Sequence, residues 1–328
     1  MSADSAHPQR SQAITMLVVA NLFWGLSFPL IKSLTGVHER LLPGSSSWFI
    51  TASAIFPRFA VGAVVLGGLC WRALRTLTRS ELRQGVGLGC FALLGMVFQN
   101  DGLQFTSAST SAFLTQFYAI MIPVFLALRA RRAPPWTVWV SCALVLAGVA
   151  VLAQLDWRDL HLGRGEFETL VCSVFFMGHI LWLGRAEFVA NRALPVTVVM
   201  FAVEALAGLA MALWTAPQAA DVFVPWTSGP WLGFTAALTL FCTIGSFTLM
   251  NMWQPKITAT EAGLIYCVEP VFVSLMALFL PAWFSAWGGF DYPNEIATTS
   301  LLLGGGLITA ANVLIQLRPL PSPAKAAA

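Results

Sequence analysis

Four ionisable side chains interrupt long apolar runs of this sequence: Arg58, His179, Glu204 and Glu269. Glu269 sits beside Pro270 in IYCVEPVFVSLMALFL (265–280), and the earlier FLTQFYAIMIPVFLAL (113–128) repeats the Pro-Val-Phe with Ile122 in the acidic position. A carboxylate in such surroundings accepts a proton or a cation, so Glu204 and Glu269 are candidates for proton coupling. The alternative for each is a fixed structural partner: groups freed by the Pro270 kink for Glu269, and Arg58 for Glu204. Arg58 would bind a solute carboxylate or stay paired with one of the two glutamates. His179 would carry a proton or be a satisfied interior histidine; with no second ligand at metal spacing it is no zinc site. Around these lie residues suited to hold a small molecule. Asn21, Trp24 and Phe28 form one helical stripe, Trp182 lies one turn from His179, and Tyr266 lies three residues before Glu269. Gln116 and Tyr118 point to different faces of one helix, so at most one lines a path; Gln116 is taken as the candidate.

The elements that must position these groups are set by composition. Of 328 residues, 57% are hydrophobic and 10% charged, against about 25% charged in soluble domains. The class is an all-α integral membrane protein, because the apolar runs are long and do not alternate. Ten runs approach the roughly 20 residues that a bilayer core demands: 13–34, 48–71, 84–104, 108–128, 136–154, 166–186, 195–215, 231–251, 262–281 and 297–317. At about 1.5 Å per residue, Arg58 lies roughly 15 Å into its run, and Glu204, His179 and Glu269 fall near the same depth. An ionisable group there costs about 2.5–3.5 kcal/mol on insertion scales and so faces the protein interior. Of the 18 Lys and Arg residues, 13 fall in the termini and alternate connections that share a side with the N-terminus. By the positive-inside rule both termini are then cytoplasmic.

The pattern is written twice. LVVANLFWGLSFPLIK (17–32) aligns with LVCSVFFMGHILWLGR (170–185), pairing Leu17 with Leu170, Gly25 with Gly178 and Lys32 with Arg185. TSASTSAFLTQFYAIMIPVF answers ITATEAGLIYCVEPVF, and ALVLAGVAVL answers GLITAANVLI. The expected organisation is a tail over 1–12, one five-helix repeat over 13–154, a second over 165–317, and a disordered tail over 318–328. Five spans is an odd number, so the second copy enters the membrane inverted. Inverted repeats place a solute site near the midplane between halves that rock to give alternating access.

NLFWGLSFPLIK resembles the Trp-Gly opening of the first helix in EamA-type drug/metabolite transporters. TSASTSAFLTQFYAIMIPVF and TATEAGLIYCVEPVF are similar to that family's fourth and ninth helices, and ALVLAGVAVL to its repeat-closing helix. The likeness covers about 13–317. It implies a ten-helix secondary transporter of amino acids, related metabolites or drugs, commonly an exporter, in a bacterial inner membrane. Ile122 in place of a second Glu, together with Arg58 and His179, departs from that pattern.

The six cysteines form no CxxC pair and read as small buried hydrophobes. GVGLGC and LLLGGGL lack the strand and the Lys-Ser/Thr of a phosphate loop, and read as close-packing glycines. No cofactor, metal or nucleic acid is expected. The partners are a small-molecule solute and the lipid bilayer, and the chain is a monomer or homodimer. A passive channel or scaffold is the first rival. A lipid-modifying enzyme is a weaker one, since HERLL lacks the second His of HExxH and no GxSxG is present.

Overall fold

The computed structural model describes residues 3–106, 108–152, 163–296 and 299–317, and among them helices dominate and no strand occurs. In lipid every backbone N–H and C=O needs a partner within protein, which a helix supplies inside one segment. Seven helical stretches are long and apolar enough to cross a membrane: Gln9–Leu41, Ser47–Leu69, Arg79–Gly102, Arg164–Leu183, Ala193–Thr215, Gly229–Lys256 and Ala259–Ala277. Three shorter apolar stretches accompany them: Tyr118–Ala130, Trp136–Gly148 and Leu302–Ala311.

In chain order the helices are α1 (Ala3–Leu41), α2 (Ser47–Leu69), α3 (Trp71–Leu74), α4 (Arg79–Gly102), α5 (Ala108–Thr115), α6 (Tyr118–Ala130), α7 (Trp136–Leu152) and α8 (Arg164–Leu183). There follow α9 (Ala193–Thr215), α10 (Gly229–Ala237), α11 (Ser246–Trp253), α12 (Ala259–Tyr266), α13 (Glu269–Ala277), α14 (Leu280–Gly288) and α15 (Thr299–Leu317). A π-helical stretch, Leu238–Gly245, joins α10 to α11 inside one span. Helix α1 starts within the expected tail and runs past the end of the expected first span. The expected tail 318–328, with Arg318 and Lys325, lies outside the described residues, as does Arg158.

Two expected spans are broken. The run 108–128 is interrupted between α5 and α6, where the Phe117 N–H donates to the Leu114 carbonyl at 3.2 Å and the Ala119 N–H to Gln116 at 2.9 Å. The run 262–281 is interrupted between α12 and α13, where the Cys267 and Val268 N–H groups reach only three residues back, to Leu264 and Ile265. In the second case Pro270 has no N–H to give and its ring crowds the carbonyl four residues earlier, so the preceding turn tightens. In the first, Pro123 stays inside α6 and the break lies a turn and a half upstream of it.

Helices α2 and α9 pack along their lengths, as do α4 with α8 and α9, and α7 with α15; α1 runs across α10, α11, α12 and α13. Lipid supplies little drive for helices to associate, so small residues must let backbones approach. Gly85 and Gly89 face α9, where an added Cβ would lie 2.6 Å from Val199 Cβ and 2.7 Å from Val203 Cβ respectively. The repeat-matched pair behaves alike: a Cβ on Gly25 would meet Phe272 Cβ at 2.6 Å, and one on Gly178 would meet the Phe91 ring at 2.5 Å. Gly148 meets the Gly304 carbonyl in the α7–α15 contact. The packing reading of GVGLGC and LLLGGGL therefore holds at these contacts.

Gly85→Leu must push α4 off α9, where the Val196 carbonyl adds a 2.8 Å obstacle, and overpacking of this kind costs about 1–3 kcal/mol. Gly68, with nothing within 4 Å of its added Cβ, is the control. Thermal unfolding followed by size-exclusion chromatography should show Gly85→Leu lowering Tm by several degrees and Gly68→Leu leaving it in place.

Candidate functional site

The breaks in the α5–α6 and α12–α13 segments bring two irregular turns together. A Cβ on Gly263 of α12 would lie 3.0 Å from Ile122 of α6, so the two segments cross in contact. Beside the crossing lies a cavity of about 60 Å³. Its apolar wall is Trp24 of α1, Phe176 of α8, Phe247 and Met250 of α11, and Met96 of α4. Its polar wall is Ser27, Gln99, Thr115, Tyr118, His179, Tyr266 and Glu269. Trp24 stands edge-on to both Tyr266 and Phe247, with ring centroids 5.5 and 5.4 Å away.

Glu269 is the first residue of α13 and is 7% exposed. Gln116, in the turn after α5, donates from Nε2 to Glu269 Oε2 at 3.3 Å. The α5–α6 segment thus answers the Glu269 carboxylate with an amide six residues before Ile122, whereas Ile122 packs on Gly263. Tyr266, at the end of α12, donates its hydroxyl to Gln254 Oε1 at 2.9 Å, and Gln254 Nε2 donates to the Ile180 carbonyl at 2.9 Å. One buried glutamine thereby ties α12 and α8 together below the cavity. His179 turns Nδ1 to the Leu88 carbonyl at 3.2 Å, which requires that nitrogen to be the protonated donor. Gln99 donates to the Thr115 hydroxyl at 3.2 Å.

Of the sequence-derived candidates, Trp24, His179, Tyr266 and Glu269 line the cavity, and Gln116 reaches it through Glu269. The others lie elsewhere. Phe28 belongs to a second apolar cluster with Leu103, Ala112 and Val273. Asn21 folds back to donate to the Leu17 carbonyl at 2.6 Å. Trp182 lies outside the cavity, donating to the Gln84 carbonyl at 3.2 Å and packing on Phe188, with the Arg185 guanidinium 4.7 Å from its ring. Arg58 stands one layer behind the wall: it is 1% exposed, its Nη2 donates to Met96 Sδ at 2.5 Å, and its guanidinium lies 4.8 Å over the Phe59 ring. Glu204 on α9 is fully buried and within electrostatic reach of Arg58, yet its oxygens accept no hydrogen bond from it.

The wall residues Ser27, Met96, Gln99, Thr115, Phe247 and Met250 carried no sequence signal of their own. Hydroxyls and thioethers are ordinary in apolar helices, and Gln99 in FQND reads as the polar end of a span. Gln254 in WQPK reads as a connection, yet it is 1% exposed.

Beyond the cavity, arginines hold carboxylates. Arg10, about two turns into α1, reaches Glu261 at the start of α12, from Nη2 at 2.7 Å and Nε at 3.1 Å. Glu261 also closes the capping box with Thr258. Arg164 at the start of α8 reaches Asp101 near the end of α4 at 2.5 Å and Glu168 at 2.8 Å. Arg192, before α9, grips Glu81 of α4 from Nε at 2.7 Å and Nη2 at 2.9 Å, and donates to the Thr76 and Ala73 carbonyls as well.

Apolar helices of spanning length surround a cavity with polar and aromatic walls, the arrangement of an integral membrane protein. Residues 11–154 match the model of the EamA-like transporter family. A relative from Archaeoglobus fulgidus with the name "Uncharacterized transporter" is 22% identical over 310 residues, spanning 92% of this chain and 85% of its own length. A protein of known crystal structure shares the fold at a TM-score of 0.67 and 19% identity, over 94% of this chain and 97% of that one.

Tyr266→Phe removes one buried hydrogen bond, a cost of about 1 kcal/mol. Gln254→Leu leaves the Tyr266 hydroxyl unpaired and removes one of two donors from the Ile180 carbonyl, which keeps the Gly184 N–H, and should cost more, about 1–3 kcal/mol. Unfolding midpoints of the purified variants should fall in that order. Equal midpoints would show that the glutamine holds nothing.

Proposed function

We propose that this chain is a secondary transporter that moves a small organic solute by alternating access. In this reading ten helices form two inverted five-helix repeats, with 13–154 and 165–317 as the halves and both termini cytoplasmic. The seven long stretches and three shorter apolar ones supply the spans. The observation that carries the reading is the cavity itself: a buried carboxylate, Glu269, lies at a helix break where the crossing segments of the two halves meet, opposite Trp24.

The wall chemistry narrows the solute. Glu269 with Gln116 offers acceptor oxygens to an ammonium or another protonated nitrogen. Trp24, Phe176, Phe247 and Tyr266 offer faces and edges to a flat or apolar portion, and ring faces also attract cations. Arg58 is screened by Met96, so the support for a carboxylate-bearing solute comes from Ser27, Thr115 and Gln99 rather than from a wall cation. Amino acids and related amines fit this mixture, and export is the direction inferred. Glu269 is the coupling site for protons, with solute and proton competing for one carboxylate. Glu204, compensated by Arg58 behind the wall, is a second coupling candidate.

In proteoliposomes without ATP, the protein should carry amino acids or aromatic amines down their gradient faster than empty vesicles do. An imposed pH gradient should accelerate uptake, and Glu269→Gln should abolish that acceleration. Trp24→Ala should raise KM about tenfold or more, from loss of a ring contact worth roughly 1–2 kcal/mol. Single-channel currents in place of saturable exchange would favour a channel instead.

A further inference from the structure

Arg10 and Arg164 are related by the internal repeat. The offset that pairs Leu17 with Leu170 and Gly25 with Gly178 carries Arg10 to Gly163, the residue before Arg164. Arg10 lies about two turns into α1 and Arg164 opens α8, and each seizes a carboxylate of another helix. The two contacts lie at opposite ends of the bundle: Arg164 starts α8, and the far end of α8 meets Gln254, just ahead of the α12 start that Arg10 holds.

We propose that these two ion pairs are the alternating gates of the transport path. Each closes one end of the route to the central cavity; both are formed in this structure, an occluded arrangement, and in transport one opens while the other stays closed. This rests on the alternating-access reading above.

The argument is one of mechanical placement. Arg10 joins α1, which carries Trp24, to α12, which carries Tyr266. Arg164 joins α8, which carries His179, to α4, which carries Gln99. Each clamp therefore joins two helices that supply facing cavity walls, and its release frees those walls at one end only. Both clamps have the same construction. The arginine side chains are partly exposed, at 22% and 44%, while the carboxylates of Glu261 and Asp101 are buried at 4% and 0%. Water can reach the guanidinium and take over its hydrogen bonds, so the pair opens from the arginine side. The Arg192–Glu81 pair has the same exposure pattern, at 43% and 2%, and is set apart by its further bonds to the Ala73 and Thr76 backbone carbonyls, which make it a fixed staple.

The test measures access to the cavity from each side of the membrane. Ser27→Cys on the wall is the reporter, in a Cys90→Ser background because Cys90 is the exposed cysteine among six. A membrane-impermeant thiol reagent is applied to right-side-out and to inverted vesicles. Glu261→Gln removes the first pair and keeps the capping box, since Gln serves at that position. Asp101→Asn removes the second pair with little change of shape. Glu261→Gln should speed labelling from the α1-start side, and Asp101→Asn from the opposite side. Each should do so by about threefold or more, the population shift expected from loss of one partly exposed ion pair. The charge swap Arg10→Glu with Glu261→Arg should restore the slow rate, which mere loosening of the fold would not. Gln99→Cys repeats the measurement from another helix if the first reporter folds poorly. Unchanged rates, or faster labelling from one and the same side in both variants, overturn the gate assignment. A protein that labels as expected but moves no solute in liposomes would overturn the transport reading and leave the paired gates standing.

Discussion

A carboxylate buried in the membrane's interior has to be matched by protein, and Glu269 is matched only because the chain stops being a regular helix there. Pro270 withholds its N–H, the turn before it tightens, and Glu269 becomes the first residue of a new helix with its side chain free to meet Gln116. The α5–α6 segment breaks as well, so two interrupted segments cross where a continuous pair would close the space. The cavity, the Tyr266–Gln254 link beneath it and the aromatic wall around Trp24 all depend on that irregularity. Broken helices are tolerated at membrane depth where they border protein or a cavity, and here they do both.

The glycine contacts set how far that irregularity can spread. Gly85 and Gly89 bring α4 against α9, Gly25 brings α1 against the α13 backbone at Phe272, and Gly178 admits the Phe91 ring. These close approaches fix the spacing of the helices around the breaks in α5–α6 and α12–α13. The π-helical stretch between α10 and α11 is the exception in the outer wall, and it lies across from Arg58 and Glu204, where α2 and α9 meet.

Much of this was legible in the residues. Long apolar runs, breakers between them and the doubled Pro-Val-Phe gave the helical membrane class, and Trp24, His179, Tyr266 and Glu269 stood out because each is unusual in the middle of a span. The rest depended on three-dimensional facing that spacing does not encode. Phe28 shares a stripe with Trp24, yet one helical turn is enough to carry it from the cavity into the Leu103 cluster. Arg58 and Trp182 were visible as polar or aromatic anomalies, but their nearest neighbours, Met96 and Gln84, come from distant sequence. Gln254 was invisible for the opposite reason: beside a proline and a lysine it looks like solvent-exposed linker, and only the fold makes it a buried joint. In the α5–α6 segment Pro123 is accommodated inside a helix and the turn gives way upstream of it, at residues that carry no breaker signal.

Met96 separates a fixed positive charge from the chamber by the thickness of one thioether. Its side chain is unbranched and polarizable, a flexible panel rather than a rigid partition. A shorter side chain there would bring the Arg58 guanidinium to the chamber, setting a positive group on the same wall as the Glu269 carboxylate.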